Sequence, residues 1–205
     1  MGGKMTELKE GREPVKQAGK AVTALDLPPM DPMPDDIGNY FAICAEKLGM
    51  VPNVLQAYSF DEAKFRAFSQ LYNNLMLDES GLSKLEREMI AVVVSSINRC
   101  FYCLVAHGQA VRQLSGDPLL GELMVMNYRA ADLSDRHRVM LDYAAKLTET
   151  PEKVTGEDRA MLTAVGFSDR DIWDIANVTG FFNMSNRVAI ASDMTPNDGY
   201  HGQDR

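Results

Sequence analysis

Cys100 and Cys103 stand three positions apart, and His107 follows four positions after the second, in the run Cys100-Phe101-Tyr102-Cys103-Leu104-Val105-Ala106-His107. Two cysteines at that separation can close a disulfide on themselves. A thiolate is the nucleophile in sulfur chemistry, and a helix N-terminus or a neighbouring imidazole favours it. If Cys100 opens a helix, Cys103 lies in its first turn and His107 one turn later, on the same face. One sulfur can then attack an electrophile while the other resolves the product as a disulfide, and spacing alone leaves open which does which. Upstream, Glu88 sits in an apolar helical run, where a carboxylate is costly without a partner. Ser95 shares its face, so carboxylate and hydroxyl point the same way, toward a proton-handling role beside the sulfurs.

Each of these features also has a plain structural explanation. Glu88 can stabilise its own helix by pairing with Lys84, Arg87 or Arg99. A closed zinc site needs four ligands, and only the distant Cys44 adds to Cys100, Cys103 and His107, so metal is disfavoured. Cys44 falls on an apolar helix face and reads as core, as do Trp173 and the methionines. His137 and His201 lie in polar surroundings and read as solvated.

The elements that must position the cysteines read as helix after helix. Asp35 to Leu48 carries Ile37, Tyr40, Phe41 and Cys44 on one face and stops at Gly49. Ser59-Phe60-Asp61-Glu62 opens a second run through Leu75. Ser83-x-x-Glu86 is a capping box ahead of Met89, Ile90 and Val93. The cysteine segment continues to about Gly116, Ser134 caps a helix closed by Pro151, and Thr155-x-x-Asp158 and Ser168-x-x-Asp171 open two more. No pair of alternating strands joined by a hairpin turn occurs, so the fold class is all-α. The β-branched run from Ala91 to Ile97 is the one stretch that also suits a buried strand, as a thioredoxin-like fold would require, but the βαβ alternation of that fold is missing. Shifting the chain by 85 residues lays Ser83, Ile90, Ala91, Val93 and Asn98 on Ser168, Ile175, Ala176, Val178 and Asn183. That echo reads either as a duplicated helical hairpin with the cysteines kept in one copy, or as the default likeness of capped amphipathic helices.

The 205 residues, 45% of them hydrophobic, suffice for one sizeable domain. We divide the chain into a flexible tail with a proline-rich arm (1–34), a helical domain (35–195) and a C-terminal tail (196–205). The net charge of -8 argues against nucleic-acid or anionic-membrane partners. No apolar run reaches the roughly 20 residues that span a bilayer, and the polar N-terminus is not a secretory signal. A thiol pair without an export signal is expected in the cytoplasm, where C-x-x-C is catalytic or metal-binding more often than a structural staple.

Glu88, eleven intervening residues, then Cys100-x-Tyr102-Cys103-x-x-x-His107 resembles the carboxymuconolactone decarboxylase/alkylhydroperoxidase D superfamily, and more closely its peroxidase-related branch. The likeness extends to Gly49-Met50-Val51-Pro52-Asn53-Val54-Leu55 and to Phe182-Asn183-Met184-Ser185-Asn186-Arg187. It implies an all-helical, alkylhydroperoxidase D-like bundle that assembles into a homo-oligomer, as a dimer, trimer or hexamer. It further implies a thiol-dependent antioxidant peroxidase acting on hydroperoxides, with no tightly bound cofactor. Electrons would return from an external dithiol of the dihydrolipoamide type or from a protein donor. By that resemblance Cys103 attacks the peroxide, Cys100 resolves, and Glu88 and His107 relay protons, with Ser95 and Tyr102 in support. Tyr102 departs from alkylhydroperoxidase D, which has a second histidine there; tyrosine hydrogen-bonds but does not readily take a proton at neutral pH. Two alternatives stand beside this reading: a decarboxylase acting on a lactone without redox chemistry, and an oligomeric binding protein whose disulfide controls assembly.

Overall fold

The computed structural model describes residues 21–205. These residues form ten α-helices: α1 (Asp35–Leu48), α2 (Asn53–Tyr58), α3 (Glu62–Met76), α4 (Lys84–Asn98), α5 (Phe101–Ser115), α6 (Pro118–Asn127), α7 (Asp135–Glu149), α8 (Gly156–Ala164), α9 (Asp169–Ala191) and α10 (Gly199–Gly202). No strand occurs among the described residues. The helix boundaries follow local chemistry. Gly49 closes α1 in the left-handed region (φ 72°), and Gly116 closes α5 in the same way (φ 65°). Ser83 Oγ accepts from the Glu86 N–H at 3.1 Å while Glu86 Oε2 accepts from the Ser83 N–H at 2.7 Å, which completes the capping box of α4.

The β-branched stretch from Ala91 to Val94 is helical and wholly buried. Its strand propensity yields because α4 is the central element, packed against α5, α6, α7 and α9 and touching α3. Over this stretch the helix is covered on all sides, so Val fills it for its bulk. Each such side chain contributes roughly 1.5–3 kcal/mol on burial.

The 85-residue echo has a structural meaning, although a narrower one than a duplicated hairpin. α4 and α9 start on matching capping boxes and lie against each other, and the matched asparagines meet, Asn98 Nδ2 donating to Asn183 Oδ1 at 3.1 Å. After Asn98 the chain turns at Arg99 into α5, whereas α9 runs on to Ala191. The hairpin is therefore not repeated. Trp173 corrects a second expectation: it is 72% exposed, because Ile172 and Ile175 are the buried neighbours on α9 and position 173 faces outward. Met126 and Met161 are likewise exposed, while Met76, Met89, Met124 and Met140 are core.

Of the segment read as a tail and arm, 1–20 lies outside the described residues. The arm lies across its own domain: Thr195 N–H donates to Val22 O at 3.0 Å, Ala24 N–H to Ser192 O at 2.8 Å, and Met30 N–H to Ser59 O at 2.9 Å. The C-terminal segment is folded back rather than trailing. Tyr200 is buried, and the buried guanidinium of Arg112 on α5 donates to the carbonyls of Tyr200 (2.9 Å) and Gln203 (3.0 Å). Asn197 and Asn53 lock this segment to the α1–α2 turn, Asn53 N–H donating to Asn197 Oδ1 at 2.8 Å and Asn197 Nδ2 to Val51 O at 2.9 Å.

Replacing Ile90 by Ala should cost about 2–5 kcal/mol of stability, since a cavity opens in the central helix. Ser83→Ala should cost about 1 kcal/mol through the lost cap. Denaturant unfolding at matched temperature measures both, and near-equal losses would mean that α4 is not the centre of the core.

Candidate active site

The cysteine pair sits where two helices meet at a two-residue turn. Arg99 ends α4 in the left-handed region (φ 57°), and Cys100 is the extended N-cap of α5, its N–H donating to Ser95 O at 3.0 Å. That turn places the Cys100 sulfur beside the first free amides of α5. The Cys100 thiol is drawn down to about 7, chiefly because the Cys103 thiol donates a hydrogen bond to it. The N–H groups of Cys103 and Tyr102, together with nearby His107, pull the same way against burial. Cys103 is pushed well up by that same contact and by its burial, with Asn186 and Ser95 opposing. The pair therefore gives up its first proton near neutral pH, and the negative charge falls on Cys100. Neither cysteine is disulfide-bonded, and both are almost fully buried.

Glu88 and His107 come together from neighbouring helices. His107 Nδ1 lies 2.6 Å from Glu88 Oε2, and the edge of the His107 ring meets Phe182, with centroids 4.6 Å apart. The helix-stabilising explanation of Glu88 thus fails at the partner: Arg87 donates instead to the carbonyls of Leu75 (3.2 Å) and Asp78 (2.9 Å), and Glu88 is met by the imidazole. A carboxylate accepting from Nδ1–H fixes the ring and leaves Nε2 to exchange protons.

Behind the sulfurs lies a buried amide and hydroxyl network. Ser95 Oγ donates to Ala91 O at 2.7 Å and accepts from Asn186 Nδ2 at 3.0 Å, and Asn98 Nδ2 donates to Asn186 Oδ1 at 3.0 Å. Ser95 is thus a neighbour of Cys103 and of Asn186. Asn186 is the site residue that reading the chain did not single out, although it falls in the segment Phe182 to Arg187 that carried part of the family likeness. The fact that would have found it is its position, three residues past Asn183 on the face that meets α4.

Tyr102 stands between the sulfurs and a cavity. Its ring packs with Cys100 and Cys103, and its hydroxyl accepts from the Val54 N–H at 3.0 Å, docking α2. Burial raises its phenol well above the usual range. On the far side opens a cavity of about 570 Å³, walled by Tyr40, Phe68, Tyr72, Tyr102 and Tyr200 and reaching Glu88 and His107. Neither sulfur lines it. Burial and the Glu88 charge raise Tyr72 strongly, and they raise Tyr200 to about 12, so the phenols around Glu88 keep their protons. Cys44, expected in the core, is half-buried and faces this cavity, its thiol raised by burial. Among the described residues, no group of three or more His, Cys, Asp or Glu side chains is arranged to hold a metal ion. No helix among them is long and apolar enough to cross a membrane.

Alkylation with iodoacetamide, followed residue by residue by mass spectrometry, should show a Cys100 rate that climbs as pH rises through about 7. Cys103 should lag until Cys100→Ser removes the thiolate that holds its proton, after which its own midpoint should fall. Equal rates at both sulfurs across the pH range would contradict the shared proton.

The carboxymuconolactone decarboxylase family profile matches residues 62–118, the stretch from α3 into the start of α6. The crystal structure of a peroxidase-related protein from Silicibacter sp. TM1040 is 67% identical, covers 93% of this chain and all (100%) of its own, and superposes with a TM-score of 0.89. A second, described as an alkylhydroperoxidase AhpD core and peroxidase-related protein from Ralstonia eutropha JMP134, is 39% identical over 91% of this chain and 98% of its own, with a TM-score of 0.87. The debrominase Bmp8 shares the fold alone, at 18% identity over 89% of this chain and 95% of its own, with a TM-score of 0.71. A comparison with curated proteins returns no match. Helical architecture, the α3–α5 profile and two near-full-length relatives agree, and this chain belongs to the carboxymuconolactone decarboxylase/alkylhydroperoxidase D superfamily, in its peroxidase-related branch.

Proposed function

We propose that the protein is a thiol-dependent hydroperoxide reductase that works through the Cys100/Cys103 pair with Glu88 and His107 as its proton relay. The observation that carries this reading is the 2.6 Å contact between His107 and Glu88, with His107 near the free thiols of Cys100 and Cys103. In the reading, Cys103 attacks the terminal peroxide oxygen and passes its proton to the Cys100 thiolate. The O–O bond breaks, and the departing alkoxide takes a proton from His107, giving an alcohol and a Cys103 sulfenic acid. Cys100 returns its proton to the His107–Glu88 pair and attacks the sulfenic sulfur, and the expelled hydroxide leaves as water. One thiol, one thiolate, one proton and the peroxide thus become a disulfide, an alcohol and water. An external dithiol, of the dihydrolipoamide type or carried by a protein donor, reduces the disulfide and is itself oxidised. No tightly bound cofactor enters. The reading places the enzyme in the cytoplasm as a homo-oligomer, for which exposed apolar side chains such as Phe101 (62%) and Trp173 (72%) are available as contacts.

One observation favours a second reading. The cavity is lined by Glu88 and His107 but by neither sulfur, which suits proton transfer on a carbon acid, as in a lactone decarboxylase. In that case the cysteines would serve packing.

Dithiol-linked reduction of cumene hydroperoxide separates the two. Cys103→Ser should abolish turnover, and Glu88→Gln should lower it by about a hundredfold, the usual reach of general acid–base catalysis. Unchanged turnover in Cys103→Ser would end the peroxidase reading. Product formed from a carboxylated muconolactone without any reductant would establish the second.

A further inference from the structure

Glu88 and His107 line the inner end of the cavity, large apolar side chains line it toward solvent, and two lysines stand at its rim. Ile43, Leu48, Leu77 and Leu114 line it and are 44–50% exposed, which marks them as the mouth. An open ring of large apolar side chains costs solvation and is characteristic of a ligand-binding entrance. Lys47 of α1 and Lys84 of α4 line the same cavity and are exposed. Neither pairs with a carboxylate among the described residues, although the chain carries 29 acidic against 21 basic side chains. Glu88, already engaged by His107 at the inner end, is the one acidic residue in the lining among the described residues. The field of the mouth therefore opposes that of the whole molecule.

We infer that this cavity takes an amphipathic carboxylate, its apolar body along the aromatic wall, its carboxylate at Lys47 and Lys84, and its reactive group toward Glu88 and His107. A neutral peroxide of a few atoms would use neither the apolar ring nor the lysines. A volume of about 570 Å³ gives room for such an apolar body. Within the peroxidase reading, on which this assignment of reactive group rests, the substrate class is a hydroperoxide of a long-chain carboxylic acid. The binding claim holds for either reaction.

The cavity holds its own reporter, since Cys44 faces it. In Cys100→Ser/Cys103→Ser protein, decanoate should slow iodoacetamide modification of Cys44 at least severalfold at alkaline pH. Decanol should protect only at higher concentration. Lys47→Gln/Lys84→Gln should raise the half-protecting decanoate concentration about tenfold, as expected for two exposed ion pairs, and leave decanol unchanged. Equal protection by decanoate and decanol, insensitivity to the lysine replacements, or no protection by either would overturn the proposal. With the native cysteines, linoleic acid hydroperoxide should be reduced with a higher kcat/KM than its methyl ester, and Lys47→Gln/Lys84→Gln should erase the difference. No turnover of any hydroperoxide would remove the peroxidase reading while the Cys44 measurement still decides the binding claim.

Discussion

A helix packed against neighbours along most of its length must find partners for its polar groups, and five polar side chains of α4 find them on other elements, with only Nε of Arg87 left without one among the described residues. Unpaired, each buried group would cost on the order of 1–3 kcal/mol, and more if charged. Their partners come from different parts of the chain. Glu86 meets Arg136 of α7 at 2.9 Å, Arg87 meets one carbonyl in the last turn of α3 and one just after it, Glu88 meets His107 of α5, and Ser95 and Asn98 meet Asn186 of α9. Apolar burial draws helices together without choosing their register; directional contacts of this kind choose it. The need to satisfy α4 therefore sets where α5, α7 and α9 lie, and the reactive groups ride on those helices.

The Glu88–His107 contact belongs to the same set, so the proposed proton relay and the register of α4 on α5 are one interaction seen twice. The turn between these helices has only Arg99 and Cys100 to work with, and Arg99 takes a left-handed conformation that non-glycine residues seldom adopt. The short turn makes Cys100 the N-cap and gives its sulfur the free amides of α5. Charge thus collects on Cys100, while the family likeness assigns attack to Cys103. The two statements are compatible, because a thiolate that accepts Cys103's proton is also a base ready to take it when Cys103 attacks. Cys103 is set against Ser95 and Asn186 of the buried network.

Tyr102 links the sulfurs to the rest of the molecule. Its hydroxyl takes the Val54 N–H, so α2 is docked on the active-site helix by a residue inside the C-x-x-C motif itself. The same α1–α2 turn is held from the other side by Asn197, and Arg112 anchors the segment that brings Tyr200 to the cavity wall. Three distant pieces of chain are thereby tied around one space. Tyr102 is thus a structural latch between the sulfurs and the cavity.

Local chemistry was readable along the chain wherever a single turn decides it. The capping boxes at Ser83, Thr155 and Ser168, the stops at Gly49 and Gly116, and the start of a helix at the cysteines all depend on residues within a few positions of one another. Glu88, Ser95, Cys100, Cys103 and His107 could be named because their types and spacing are unusual in an apolar run. Other features depend on contacts made across tens of residues, and no local pattern encodes them. Trp173 faces solvent because of what its neighbours on α9 meet, and the echo of α4 in α9 stops at the turn that only α4 makes. Asn186 becomes a site residue only when α9 crosses α4, and the cavity with its lysine rim exists only once α1, α3, α4, α5 and the C-terminal segment are assembled. The sequence by itself determined which residues could do chemistry and that helices would carry them. The tertiary structure alone decided which partner each buried polar group received, because that choice is made by whichever helix lies opposite.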